Sequence, residues 1–136
     1  MITGIAHAAY RVKDMERALA FYCDVLGMER AFSLADDAGQ PWIEYLKAAP
    51  GQFIELFYAA PDQPCAFSAQ DSYAHLCLQV DDIQAIARQI TQAGGPLTSA
   101  PSQGKDHNWQ CWTVDPDGNP IELMQISPES PQARHR

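Results

Sequence analysis

Apolar and polar residues alternate along two stretches of the chain, IAHAAYRV (5–12) and AHLCLQV (74–80), and each alternation gives way to a helical period. After the first, Met15, Ala18, Leu19 and Tyr22 recur at i, i+3, i+4 and i+7; after the second, Ile83, Ile86, Ala87 and Ile90 do the same. Asp14 and Asp82 stand just ahead of these stripes, where a carboxylate accepts an orphan backbone N–H and caps a helix. Glycine follows each, at Gly27 and at Gly94 or Gly95, the residue best suited to a left-handed helix stop. Short strand-like runs come next: ERAFSLADD, PWIEYLKAA and QFIELFYA in the first half, GPLTSAP, WQCWTVD and PIELMQI in the second. The turn signals between them are DDAGQP, APGQ and DPDGNP.

The two halves are a repeat. HAAYRVKDMERALAFYCDVLG (7–27) aligns without a gap on HLCLQVDDIQAIARQITQAGG (75–95), so that His7 falls on His75, Val12 on Val80, Asp14 on Asp82 and Gly27 on Gly95. Each half therefore predicts β-α-β-β-β, an α+β fold. The expected layout is a single domain over 1–127, with module one at 1–59, a linker at 60–72, module two at 73–127 and a flexible polar tail at 128–136.

Length and composition narrow the classes. A chain of 136 residues, 46% hydrophobic, suits one domain with a real core. The net charge of −8 argues against a nucleic-acid binder, because phosphate contacts require a basic surface. No apolar run reaches the ~20 residues of a membrane span, and the N-terminus lacks a signal-peptide pattern, so a cytoplasmic protein is expected. The cysteines, Cys23, Cys65, Cys77 and Cys111, form no C-x-x-C pair and are expected as reduced thiols packed as small hydrophobes.

One motif breaks the apolar pattern. Ile-Glu-Leu occurs in QFIELFY and again in PIELMQ, placing Glu55 and Glu122 inside strands. Alternation sets Phe53, Glu55 and Phe57 on one face and Ile54, Leu56 and Tyr58 on the other, so neither face is plainly wet. An isolated carboxylate in such a place costs several kcal/mol or is driven neutral. Each Glu follows the His of its own half at nearly the same interval, His7 to Glu55 and His75 to Glu122. If first and last strands are neighbours in each half, each pair converges. Two carboxylates and two neutral imidazoles make an N₂O₂ set whose charge balances a divalent ion, suited to Zn, Ni, Co, Mn or Fe(II).

With these residues in place, the chain resembles the vicinal oxygen chelate superfamily and, within it, glyoxalase I (lactoylglutathione lyase). The pieces that carry the resemblance are HAAYRVKDMERALAFYCDVLGM, FIELFY, HLCLQVDD and DPDGNPIEL. It implies two βαβββ modules forming an incomplete barrel around a metal site, with His7, Glu55, His75 and Glu122 as ligands, and a homodimer. It implies isomerisation of the hemithioacetal of methylglyoxal and glutathione to a thioester by way of a metal-bound enediolate, with Glu122 or Glu55 as the base and Glu122 favoured. Arg11 occupies the place of a glutathione-contacting arginine. Ala59 stands where bacterial glyoxalase I has a glutathione-binding asparagine. Lys105 and His107, in the loop SQGKDHNWQCW with Asn108 and Trp109, are further substrate-binding candidates. Trp42, Tyr45, Phe57, Tyr58, Trp109 and Trp112 are candidate pocket aromatics. The alternatives left open are a related metalloenzyme acting on another small substrate with adjacent oxygens (sugar-derived or a 2-oxo acid), an extradiol-type Fe(II) dioxygenase, and a non-enzymatic small-molecule binder.

Overall fold

A computed structural model of the chain describes Met1 and residues 4–59 and 74–135. The expected linker, 60–72, with Cys65 inside it, lies outside the described residues. The chain divides into two compact units, Met1–Ser68 and Ala69–Arg136.

The first unit runs β1 (His7–Arg11), α1 (Met15–Leu19), β2 (Glu29–Ala35), β3 (Pro41–Ala49) and β4 (Gln52–Phe57), with strand order β1-β4-β3-β2. The second runs β5 (Leu76–Gln79), α2 (Ile83–Gln92), β6 (Leu97–Gln103), β7 (Trp109–Val114) and β8 (Pro120–Gln125), in order β5-β8-β7-β6. Both are the βαβββ module that the repeat predicts, and neither four-stranded sheet closes on itself. In each, the first and last strands pair in parallel while the remaining neighbours are antiparallel. That parallel pairing sets the His-bearing segment beside the Glu-bearing strand.

The helix starts follow the caps expected from sequence. Asp14 Oδ1 accepts from the Arg17 amide at 3.1 Å, and Asp82 Oδ1 accepts from Gln84 and Ala85 at 2.9 Å each. In α2, Ile83, Ala87 and Ile90 are buried against β6, β7 and β8, with Ile86 half-buried. The first helix departs from the α period. Beyond Leu19 it widens into a π turn over Ala20–Val25, where the Leu26 amide donates to the Phe21 carbonyl five residues back. The buried set is accordingly Met15, Ala18, Phe21 and Tyr22, with Leu19 only half-buried. Leu46, Ile54 and Leu56 complete the core on the strand side, and Ile121 and Leu123 do so in the second unit. Gly27 and Gly94, at φ +79° and +76°, end the helices in the left-handed region.

The polar tail carries α3 (Pro131–Arg134), capped by Ser130, whose Oγ accepts from the Ala133 amide at 3.1 Å. No helix among the described residues is long and apolar enough to cross a membrane.

Candidate functional site

The β1–β4 register pairs His7 with Phe53, Ala9 with Glu55 and Arg11 with Phe57, so these six residues share one face of the first sheet. His7 Nδ1 comes within 3.4 Å of Glu55 Oε1. In the second unit Cys77 pairs with Glu122, and His75, one residue ahead of β5, shares their face. There His75 Nε2 lies 3.1 Å from Glu122 Oε2. Both carboxylates are only 5% exposed, while both imidazoles keep an open edge. The expected convergence of His and Glu is thus present within each unit. Among the described residues the donors come as pairs, and no three His, Cys, Asp or Glu side chains are gathered around one point.

The pairs have matching yet unequal surroundings. Tyr45 lies across the β3–β4 ladder from Glu55, and Trp112 lies across the β7–β8 ladder from Glu122. Each ring also meets the imidazole edge-on, at 6.4 Å for His7 and Tyr45 and 4.8 Å for His75 and Trp112. Hydrogen bonding to the Glu55 carboxylate, burial and the charge of that carboxylate raise the Tyr45 phenol above its ordinary pKa. Glu122 has Cys77 beside it instead. Burial of the sulfur, then the charge and hydrogen bonding of Glu122, then the charge of Asp106 push the Cys77 thiol up to about 12, although the residue retains exposed surface. It therefore stays protonated at neutral pH and is a poor nucleophile. Cys77 is not the packed hydrophobe the sequence suggests. Cys111 is, with no exposed surface. Alternation from His75 was the signal for Cys77, since residues 75 and 77 of one strand share a face.

Arg11 is exposed on the Glu55 face, four residues along β1 from His7, and Ala59 is exposed just past β4. Lys105 and His107 are exposed in the loop between β6 and β7. Asn108, grouped with them in sequence, is fully buried. Of the aromatic candidates, Tyr45 and Phe57 share the Glu55 face, joined there by Phe53 and by Phe32, which stacks on Tyr45 at 4.3 Å. Trp112 lies on the Glu122 face.

Tyr58 serves elsewhere. Its hydroxyl donates to Glu44, a third strand glutamate, at 2.8 Å. Arg30 binds the same carboxylate through Nε at 2.7 Å and Nη2 at 2.6 Å, and Ser33 Oγ donates at 2.6 Å. Glu44 pairs with Leu56 in the β3–β4 register and so lies on the face opposite Glu55. Burial alone would raise the Glu44 carboxyl, but hydrogen bonds from Arg30, Ser33 and Tyr58 outweigh it and hold the group below its usual range. The sequence reading missed this network. Its signal was a third Ile-Glu, in PWIEYL, with an arginine on the neighbouring strand. Glu44 is neutralised by its own chain, whereas among the described residues Glu55 is met by an imidazole and a phenol, and Glu122 by an imidazole and a thiol.

Residues 4–123 match the Glyoxalase/Bleomycin resistance protein/Dioxygenase superfamily, and the chain belongs to that family. It is 31% identical over 130 residues to a lactoylglutathione lyase of Salmonella typhimurium, covering 89% of this chain and 91% of the other. It is 28% identical over 153 residues to a 2-epi-5-epi-valiolone epimerase of an Actinomyces species, covering 94% and 82%. Among solved structures it resembles TnmS3, an antibiotic binding protein of a Streptomyces species, at 25% identity and a TM-score of 0.72, covering 93% and 98%. Relatives of this fold thus include lyases, an epimerase and a binding protein.

Proposed function

We propose that the chain is a metal-dependent lyase of the glyoxalase I type, in which His7, Glu55, His75 and Glu122 hold one divalent ion. The observation that carries the reading is a buried carboxylate against an imidazole, occurring once in each module. Two donors are fewer than the three or four that a catalytic ion usually takes from protein, so retaining it calls for both pairs. The donor chemistry fits: oxygens and ring nitrogens suit Ni, Co, Zn, Mn or Fe(II). When bound, the ion supplies Lewis-acid stabilisation of negative charge on two adjacent substrate oxygens.

The remaining work falls to the chain's own groups. Glu122 takes the proton from the carbon that bears sulfur in the hemithioacetal, and the C–H electron pair shifts to form the enediolate. The same carboxyl then returns the proton to the neighbouring carbon, while the hydroxyl proton on the sulfur-bearing carbon passes to the neighbouring oxygen, leaving a thioester carbonyl and a hydroxyl. Glu55, beside the Tyr45 phenol, stays in place as a ligand. Arg11, Lys105 and His107 meet the anionic ends of the thiol peptide.

The test is thioester formation from methylglyoxal and glutathione, with protein stripped and reloaded separately with Ni, Co, Zn and Mn. Turnover dependent on metal supports the reading. No turnover with any metal, despite proven loading, overturns it. Ala59, which lacks the amide of an asparagine, and the epimerase relative favour a second reading in that event, a sugar-derived substrate with adjacent oxygens.

A further inference from the structure

The loop between β6 and β7 is held from behind by the C-terminal turn. Asn108 closes it: the Asn108 amide nitrogen of the backbone donates to Asp106 Oδ1 at 3.2 Å, and Gly104 N–H donates to the Asn108 carbonyl at 2.8 Å. The Asn108 side chain then ties the loop to the tail. Its Nδ2 donates to Asp106 Oδ2 at 2.8 Å and to Gln132 Oε1 at 3.2 Å, and its Oδ1 accepts from the Ser127 amide at 2.9 Å. The same Nδ2 lies 3.4 Å from Met124 Sδ, and Met124 shares the Glu122 face of β8. The closure is tight at two places. His107 has φ +68°, costly for a residue with a side chain. A Cβ at Gly104 would come 2.6 Å from Asp106 Oδ1, which is fixed by its bond to Asn108. Such a conformation persists only where its surroundings over-determine it.

The loop also adjoins the candidate site. Met124, which Asn108 Nδ2 meets at 3.4 Å, lies two residues along β8 from Glu122 and on the same face. Asn108 precedes Trp112, the residue opposite Glu122, by four positions, roughly 13 Å along the strand at ~3.3 Å per residue. A substrate anchored near Glu122 by its reacting carbons reaches this loop only with an extended arm.

We propose that Asn108 is a positioning residue and that the turn Ser130–Arg134 is a brace, which together fix Lys105 and His107 as a recognition edge for an anionic arm of the substrate. The recognition role rests on the proposed lyase reading; the brace does not. The chain has three lysines, Lys13, Lys47 and Lys105, so a lysine-specific protease probes the loop with two internal controls. Local opening sets the rate of such cleavage. In the full-length variants Asn108→Ala, Gln132→Ala and Gly104→Ala, cleavage after Lys105 is expected to rise at least fivefold, with Lys13 and Lys47 unchanged. Wild-type rates at Lys105 in the three variants, or equal acceleration at the three lysines, overturn the brace. In the hemithioacetal assay, variants with a released loop are expected to show KM raised threefold or more at nearly constant kcat. An unchanged KM with a released loop overturns the recognition role. Absence of turnover in the unaltered protein overturns that role and the lyase reading together, and the protease result still decides the brace.

Discussion

His75 Nε2 stands 3.1 Å from a Glu122 carboxylate that is only 5% exposed, and the module repeat sets His7 against an equally buried Glu55, there through Nδ1 at 3.4 Å. The two glutamates then differ in what else touches them. A phenol serves Glu55 and a thiol serves Glu122. Phenols are the stronger hydrogen-bond donors, which suits Glu55 to a fixed role and Glu122 to a mobile one.

Glu122→Gln keeps the shape and one acceptor oxygen but removes the group proposed as the base. It is expected to lower kcat by about 10²–10⁴ while metal remains bound, checked by turnover and by metal content in parallel. Full activity in this variant would assign the base elsewhere.

Glu44 gives a pH-dependent stability with a definite sign. Its carboxyl is depressed in the folded state, so its contribution is present above the unfolded value, about 4.3, and is lost as pH falls through the folded one. Glu44→Gln is expected to unfold more easily than wild type at pH 7, with the difference shrinking below about pH 4.3. Thermal melts at pH 7, 5, 4 and 3 check it; a difference that grows on acidification contradicts it.

Removing Arg30 leaves that carboxylate buried with the Ser33 and Tyr58 hydroxyls still donating to it but without the guanidinium charge. Arg30→Ala is expected to cost about 2–3 kcal/mol, below the range for a fully buried pair because the guanidinium is half-exposed. Urea denaturation measures it.

The sequence carried the module and half of the site geometry. A gapless repeat and two Asp caps sufficed for βαβββ twice, because caps and periodicity are local. The His–Glu convergence was legible because alternation fixes which residues share a face once the first and last strands are neighbours. Three things were not legible. The π turn at Ala20–Val25 changes winding without changing composition, so Phe21 took cover where Leu19 was expected. Asn108 is buried by the return of the tail, a contact made across 24 residues to Gln132. Glu44 and Arg30 are 14 residues apart and meet only through the β2–β3 register.

Cys77 offers a check on the surroundings of Glu122. With its thiol at about 12, alkylation of metal-free protein by iodoacetamide at pH 8 is expected to be on the order of a hundredfold slower than for a free thiol. Glu122→Gln is expected to speed it by removing the adjacent charge. Mass spectrometry of the labelled peptides reads both, and rapid labelling of Cys77 in the wild-type protein contradicts the assignment.

The most direct measurement is the stoichiometry of Co(II) binding to metal-free protein, followed by its visible absorption, for wild type and for His7→Ala and His75→Ala separately. One ion per chain, weakened by tenfold or more in either variant, is the expected result, since each pair alone supplies too few donors. Two ions per chain in the wild type with one retained in each variant, or tight binding untouched by both substitutions, would contradict a single ion held by His7, Glu55, His75 and Glu122.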